Sequence, residues 1–294
     1  MNRISFLKSI TLSPLLMNLN SLNGLENWIN SQPHTERMPI LFLGHGSPMN
    51  AIEDNQFVRG FKEIGKSLPK PSAILCVSAH WYTRGTQVLS SAMPKMIYDF
   101  GGFPDELYKI KYPAPGNPTL ASEINQMLSH NHSNLTEDWG LDHGAWTVLM
   151  HLFPEANIPV VQLSIDYTKP ASYHFELAKL LKEMRNKGVL IVGSGNIVHN
   201  LGMIDWANMN KDDYGYDWAA EVRTKTNDAI LKLDSNFLIS YAKNGRAFEN
   251  AIPSPDHYLP LIYTMAMADN KDSIQIFNDK LMAGSLSMTS VKFG

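Results

Sequence analysis

The sequence predicts an α/β fold, a single domain in which a central, largely parallel or mixed β-sheet is flanked by helices on both faces. Three observations lead to this prediction. Short, continuous apolar runs, typical of fully buried strands, recur along the chain. Segments with apolar residues at helical spacing separate these runs. No internal repeat or long linker interrupts the pattern, and strands that alternate with helices in this way form sheets covered by helices on both sides.

The apolar runs are predicted as strands because each is short, rich in aliphatic residues and followed by a glycine or a serine. A further stretch near the C-terminus, where Leu286 and Met288 alternate with polar residues, is typical of an edge strand or a hairpin. In chain order the four continuous runs are Pro39–Leu43, Ala73–Val77, Ile158–Leu163 and Val189–Val192.

Helices are predicted wherever apolar residues recur every three or four positions between the strands. Pro69 ends the first of them, and Asn117 with Pro118 is a favourable N-cap and first-turn pair for the second. Gly188 ends the third. The four apolar stripes cover residues 57–68, 118–128, 173–184 and 218–233.

Composition excludes several classes of protein. Of the 294 residues 44% are hydrophobic, which is enough for a sizeable core. The formal net charge is −3, so we expect no nucleic-acid partner and no membrane partner. The single cysteine, Cys76, excludes a disulfide within the chain and any multi-cysteine metal site, and we expect it to be a buried, inert thiol. The oligomeric state is left open.

The first residues carry the outline of an export signal without its decisive features. Arg3 and Lys8 precede a short apolar run that extends to Leu19, as in a secretory signal, and Phe-Leu-Lys8 resembles part of a twin-arginine signal. However, Ile4 stands where the second arginine belongs, and no small-residue cleavage site follows. We therefore interpret residues 1–37 as an N-terminal arm or a degenerate signal-like segment, and residues 38–294 as one folded domain. A cytoplasmic location is expected, with a periplasmic one as the alternative.

Three histidines follow predicted strands. His45 comes directly after the strand 39–43, His80 after the strand 73–77, and His199 after the strand 189–192. The carboxyl ends of parallel strands meet at one edge of a sheet, where α/β proteins bind their ligands. Because imidazole is the commonest metal ligand, the pattern favours a metal site at this edge. Two more histidines, His143 and His257, are predicted in polar turns.

Other familiar motifs are incomplete. The tripeptide Asp99-Phe100-Gly101 occurs in kinases, but no glycine-rich loop or His-Arg-Asp triplet accompanies it. Gly193-Ser-Gly195 follows a strand, as in dinucleotide-binding folds, but the third glycine is missing. The chain also lacks the Gly-x-Ser-x-Gly elbow of serine hydrolases.

Taken in order, the histidine-bearing segments form a recognisable series, which also includes the glycine- and aromatic-rich loop 98–104. The sequence resembles the class III extradiol ring-cleavage dioxygenases, the LigB-like superfamily, and within it the 4,5-DOPA dioxygenase branch. The resemblance spans about residues 38–294. It rests on the segments Gly44-His-Gly-Ser-Pro48, Ser78-Ala-His-Trp81, Tyr98-Asp-Phe-Gly-Gly-Phe-Pro104, Leu141-Asp-His-Gly144, Gly193-Ser-Gly-Asn196 with His199, and Pro255-Asp-His257.

The resemblance implies a role for each of five histidines. His45, His80 and His257 are expected to bind a divalent metal. His199 matches a family histidine beside the metal that is either a ligand or the acid/base. His143 matches a second catalytic histidine, which contacts the substrate. The loop 98–104 is either a wall for a planar ring or simply a packed turn.

The resemblance also implies a cofactor and a substrate class. An all-histidine ligand set suits Zn²⁺, with Fe²⁺ as the alternative and catalytically active metal. The expected substrates are a small aromatic diol and O₂, with ring opening next to the two hydroxyls. Two alternatives remain open, a zinc-dependent hydrolase and a metal-binding member of the superfamily without catalysis.

Overall fold

The computed structural model describes residues 37–294. The predicted arm or signal-like segment at residues 1–37 therefore lies outside the described residues, apart from Arg37. That assignment, the boundaries of the catalytic domain and the expected compartment stay predictions.

A mixed sheet of eight strands forms the centre of the fold, and two small two-stranded sheets lie outside it. The strand order in the large sheet is β5-β3-β7-β2-β8-β1-β12-β9, while β4 pairs with β6 and β10 with β11. The strands are β1 (Ile40–Gly44), β2 (Ala73–Thr83), β3 (Gln87–Leu89), β4 (Lys95–Met96), β5 (Asn134–Thr136), β6 (Gly140–Leu141), β7 (Val160–Asp166), β8 (Val189–Gly195), β9 (Ile274–Phe277), β10 (Leu281–Met282), β11 (Leu286–Ser287) and β12 (Ser290–Phe293).

The four apolar runs of the sequence become the four central strands. β7, β2, β8 and β1 are adjacent and parallel, whereas β3 and β12 flank them in the antiparallel direction. Central parallel strands are covered on both faces, which explains why their sequences are continuously apolar rather than alternating. The predicted α/β class and the mixed sheet are confirmed.

Helices cover both faces of the sheet. In β1, Ile40 and Phe42 point into one hydrophobic core, and Leu41 and Leu43 point into the other. The first core is closed by α3, α5, α6 and α9 and the second by α1 and α4, where the helices are α1 (Gln56–Ser67), α2 (Asp105–Tyr108), α3 (Pro118–Met127), α4 (His143–Leu152), α5 (Ala171–Lys179), α6 (Asp217–Leu231), α7 (Ser235–Ile239), α8 (Arg246–Ala251) and α9 (Leu259–Met267).

Of the two structures predicted for the C-terminal stretch, the hairpin is present and the edge strand is not. Leu286 lies in β11, which forms an antiparallel pair with β10, as expected of a hairpin. The following strand, β12, is not an edge strand, because it lies between β1 and β9. The helix predicted up to Met184 is also shorter, since α5 gives way to a 3₁₀ turn at Lys182–Lys187 that Gly188 ends with a positive φ of 77°.

Two further expectations concern single features. Cys76 is a buried free thiol in β2, as predicted. Among residues 37–294 no helix is long and apolar enough to cross a membrane.

Candidate metal centre and active site

The carboxyl ends of three parallel strands lie side by side at one rim of the sheet. Gly44 of β1 is paired with Gly195 of β8, and Ser78 of β2 is paired with Ser194 of β8. The backbone N–H of His45 donates to the carbonyl oxygen of Gly195 at 3.1 Å. His45 therefore leaves β1 directly beside the end of β8.

His257 reaches the same rim because its turn packs directly on β8. A Cβ added to Gly195 would lie 2.1 Å from the carbonyl oxygen of His257, so a larger residue would push the turn away. The same carbonyl accepts a hydrogen bond of 2.9 Å from the backbone N–H of Asn196. The glycine at the end of the strand thus allows this close approach.

His80 lies inside a strand rather than after one. β2 continues from Ala73 to Thr83, and its register with β7 shifts between Val77 and Tyr82. The sequence prediction ended this strand too early, because the residues that follow Val77 lose the apolar pattern. His80 nevertheless points to the predicted rim.

The three predicted metal ligands converge. His45, His80 and His257 each offer one ring nitrogen, and these nitrogens lie within 4.8 Å of one another. The Nε2 atoms of His45 and His80 are 3.2 Å apart. Two ligands of a tetrahedral zinc ion at the usual Zn–N length lie about 3.3 Å apart, so this spacing fits a shared ion.

A serine fixes the ring of His45 from behind. Nδ1 of His45 lies 3.0 Å from Oγ of Ser194, and that hydroxyl donates its own proton to the carbonyl oxygen of Gly144 at 2.5 Å. The serine oxygen must therefore accept from Nδ1–H of His45. This leaves the lone pair of His45 on Nε2, the nitrogen that faces the centre.

A carboxylate does the same for His257. Nδ1 of His257 contacts the carboxylate of Asp256, which also accepts from the hydroxyl of Ser254. With Nδ1–H held by the carboxylate, the free lone pair of His257 is again on Nε2. Outer partners of this kind fix the tautomer and ring orientation of metal-binding histidines.

Asp99 is a site residue that the sequence analysis missed. Its Oδ2 lies 3.3 Å from Nδ1 of His80 and 3.0 Å from Nδ1 of His143. Its Oδ1 accepts the backbone N–H of His143 at 2.9 Å. The available signal was a single acidic residue in the glycine- and aromatic-rich loop 98–104, for which the sequence predicts a ring wall or a packed turn and no role for the carboxylate.

His143 was predicted in a polar turn, and this prediction is wrong. It is buried in the first turn of α4. Asp142 is the N-cap of this helix and accepts from the backbone N–H of Ala145 at 3.1 Å. Asp142 also accepts from the hydroxyl of Ser78 in β2. A Cβ on Gly144 would lie 2.8 Å from the ring of His80, so the Asp-His-Gly sequence both starts the helix and lets it approach β2.

His199 lies beside the three converging imidazoles but not in the same ligand set. Its ring is stacked on the ring of His257, with centroids 3.5 Å apart and planes 6° apart. The lone pairs of imidazole lie in the ring plane, so an ion in the plane of His257 lies well out of the plane of His199. This geometry favours a role for His199 next to an ion rather than as its ligand.

Three histidines of the site, His45, His80 and His199, have lowered pKa values. Burial and then the neighbouring histidines lower the pKa of His45 and His80 well below the ordinary value. Burial, followed by the proximity of His257, lowers the pKa of His199 to about 3. Near neutral pH these three rings are therefore uncharged.

The two carboxylates beside the histidines are ionised. Burial alone would raise the pKa of Asp99, but its contacts with His143 outweigh burial and lower it. The pKa of Asp256 is likewise well below its usual range, because the contact with His257 outweighs burial. Each carboxylate can therefore accept a hydrogen bond from the N–H of a neighbouring imidazole.

Aromatic side chains from the loop 98–104 border the site. The ring of Phe100 lies edge-on to His143, with centroids 5.5 Å apart, and also contacts Phe103. Tyr98 packs on Trp146 of α4. The loop is thus a packed turn and at the same time an apolar surface next to the histidines, which is compatible with both predictions made for it.

The donor set fits a divalent metal. Three imidazoles can offer lone pairs to one point, and the nitrogen behind each ring faces a hydroxyl or a carboxylate. The chain brings together His45, His80 and His257 as possible ligands, with His143 and His199 next to them. Between residues 37 and 294, the chain also groups His80 with Asp99 and His143 within ligand distance.

The comparisons with known proteins agree with this geometry. Residues 39–290 match the family described as the catalytic LigB subunit of aromatic ring-opening dioxygenase. A protein of Escherichia coli K12 named 4,5-DOPA dioxygenase extradiol is 44% identical, over 88% of this chain and 95% of that protein. A protein of the same name from Beta vulgaris is 34% identical, over 86% of this chain and 95% of the relative.

A crystal structure of an uncharacterized protein from Escherichia coli K12 has the same fold. It superposes with a TM-score of 0.76 at 41% identity, over 88% of this chain and all of that protein. The resemblance seen in the sequence is thereby confirmed. The chain belongs to the LigB family of aromatic ring-opening dioxygenases and is an extradiol dioxygenase.

Proposed function

We propose that this enzyme opens the ring of a catechol such as DOPA, adding both atoms of O₂ next to the two hydroxyls. The observation that carries the proposal is the convergence of three imidazole nitrogens beside an aromatic wall at the sheet rim. The names of the relatives in Escherichia coli and Beta vulgaris support the same substrate class.

His45, His80 and His257 hold the divalent metal in this proposal. Because zinc has no redox chemistry, iron(II) is the working metal, and zinc is an ion that the same three nitrogens also bind. When bound, the metal supplies a Lewis acid that lowers the pKa of the ring hydroxyls and a place where O₂ meets the ring.

His199 accepts a proton from the diol. Its ring is neutral at pH 7, is partly exposed at the rim and stacks on a ligand, so it can reach a hydroxyl of a ring bound next to the metal. General-base assistance of this kind contributes roughly 10²–10⁴ in rate.

His143 and Phe100 orient the ring. His143 offers a hydrogen bond to the substrate from a position that Asp99 and the start of α4 hold in place. Phe100 provides an apolar edge beside it, against which a planar ring can pack.

The test compares metals and substrates in one assay. Protein purified without oxygen is loaded with Fe²⁺ or with Zn²⁺ and offered a panel of catechols that includes DOPA. Hydroquinone is the control, because its hydroxyls are not adjacent. We expect equimolar oxygen uptake and a yellow ring-opened product with iron and a catechol only.

Other outcomes would contradict the proposal in distinct ways. Iron-loaded protein that consumes no oxygen across the panel, while holding its metal, would favour a binding function. Oxygen-independent hydrolysis of an ester or amide by the zinc form would favour the hydrolase alternative.

A further inference from the structure

One carboxylate, that of Asp99, connects a predicted metal ligand to a predicted catalytic histidine. Oδ2 lies between the Nδ1 atoms of His80 and His143, at 3.3 Å and 3.0 Å, and Oδ1 accepts the backbone N–H of His143 at 2.9 Å. Asp99 therefore accepts a hydrogen bond from the backbone of His143 and lies 3.0 Å from its ring Nδ1, a buried atom that makes no hydrogen bond to any group of residues 37–294.

The segment directly before Asp99 is anchored at several points. β4 pairs with β6 directly before the loop, so that Met96 lies opposite Leu141. The backbone N–H of Ile97 donates to the carbonyl oxygen of Leu141 at 2.8 Å. Nε1–H of Trp146 donates to the carbonyl oxygen of Ile97 at 3.0 Å. Next in the chain, the hydroxyl of Tyr98 donates to the carbonyl oxygen of Ile110 at 2.6 Å. The small sheet thus fixes the carboxylate next to the start of α4.

The ring nitrogens of the two histidines indicate that Asp99 accepts hydrogen bonds from them. Asp99 is therefore not expected to bind a metal together with these histidines. A neutral imidazole has one lone pair and one N–H. The Nε2 of His80 faces His45 at 3.2 Å in the three-histidine set, which leaves Nδ1–H of His80 towards Asp99. The same oxygen then faces Nδ1 of His143.

We propose that Asp99 is the positioning residue of this active site, which holds His143 with Nδ1 protonated and Nε2 free for the substrate while it orients His80. The inference rests on the proposed function, because it assigns the diol as the partner of His143. It assigns a role to Asp99 and specifies the tautomer in which His143 would act.

The substitution D99N tests the tautomer directly. Asparagine has the same size, and its Oδ1 can still accept the backbone N–H of His143. Its amide group would then face Nδ1 of His143 as a donor, which forces the ring proton onto Nε2. The control is D105N, which removes an exposed carboxylate a few residues further along the chain.

The first readout needs no turnover. Long-range ¹H–¹⁵N spectra of the zinc-loaded full chain report the tautomer of each histidine, and H143Q assigns the His143 signals. We expect Nδ1–H in the wild type and in D105N, and Nε2–H in D99N. An unchanged His143 tautomer in D99N, or Nε2–H already in the wild type, would overturn the proposal.

The second readout is kinetic, on the iron-loaded enzyme. We expect D99N to lower kcat about 10- to 100-fold with little change in KM, and to have a much smaller effect in an H143Q background, where only its contact with His80 is left to lose. Independent, additive effects of the two substitutions would overturn the proposal. If the wild type opens no catechol, the function proposed above fails, while the spectra still decide the role of Asp99.

Metal content separates positioning from ligation. D99N is expected to bind the same number of zinc ions per chain as the wild type and D105N. Loss of one ion in D99N would show that Asp99 is itself a ligand, and would contradict the positioning role.

Discussion

At the scale of single residues, the ring nitrogens that can bind a metal depend on the groups behind them. His45 is backed by a neutral hydroxyl, Ser194, whereas His80 and His257 are backed by the ionised carboxylates of Asp99 and Asp256. A carboxylate raises the basicity of the imidazole more than a hydroxyl does. The three ligands are therefore expected to differ in donor strength, with His45 the weakest.

Removing the serine hydroxyl tests whether the outer partner matters even for the weakest ligand. S194A leaves Nδ1–H of His45 without an acceptor in a fully buried position. We expect the dissociation constant for zinc to rise about 10- to 100-fold, measured by competition with a chelator. S164A is the matched control. Ser164 is an equally buried serine on β7, which β2 separates from β8, and its hydroxyl bonds to Thr83 and Gln87 rather than to a histidine.

Equal zinc affinity of S194A and the wild type would contradict this account of His45. A loss of affinity in S164A of the same size would show that general loosening of the sheet, rather than the lost acceptor, is responsible.

At the scale of elements, the parts that could be predicted from sequence are those whose environment repeats along the chain. The runs at 39–43 and 189–192 were recognised as strands because burial on both faces demands continuous apolar residues. Helix α1 was recognised because one of its faces is exposed, so its apolar residues form a stripe.

Two elements whose sequence shows no clear periodicity were missed. Every residue of α9 (Leu259–Met267) is buried, so no polar face marks it as a helix. The second half of β2 was missed for the opposite reason, since its residues beyond Val77 are mixed in polarity and pair with β7 only after a register shift. Periodicity cannot report either case.

The same reasoning applies to the site. His45 and His199 could be predicted because a strand end places them at the rim by topology alone. Asp99 could not, because its meaning depends on a small sheet that brings two distant segments together. Its position relative to His80 and His143 is a property of tertiary packing.

At the scale of the whole molecule, the sheet separates function from structural support. The site lies beyond the carboxyl end of β1, whereas a buried ion pair closes the region before its amino end. There, Arg185 contacts Asp272 at 2.7 Å and donates to the carbonyl oxygen of Met38 at 2.7 Å. The polar groups of the site are therefore buried at one end of the sheet, and the Arg185–Asp272 ion pair stabilises the other end.

The histidine cluster makes the stability of the metal-free protein depend on pH. The pKa values of His45 and His80 lie well below 6.5, and that of His199 is about 3. Between pH 6.5 and these values the unfolded chain binds more protons than the native state, so the free energy of unfolding falls as pH falls. Each such histidine contributes about 1.4 kcal/mol per pH unit.

Urea unfolding of the metal-free protein between pH 7.5 and 5 measures this dependence. We expect a flat region above pH 6.5, a decline below it, and a shallower decline in H199N. H130N is the control, because His130 is exposed. A slope in H199N equal to that of the wild type would contradict the assigned environment of His199.

The most direct measurement of the central claim is the position of the metal itself, by anomalous X-ray diffraction from crystals of the zinc-loaded protein. We expect one anomalous peak per chain, at roughly 2.0–2.1 Å from Nε2 of His45, His80 and His257, and the loss of this peak in H257A. A peak among His80, Asp99 and His143 would contradict the three-histidine site. So would the absence of a peak at the rim in crystals of protein that binds one zinc ion per chain in solution.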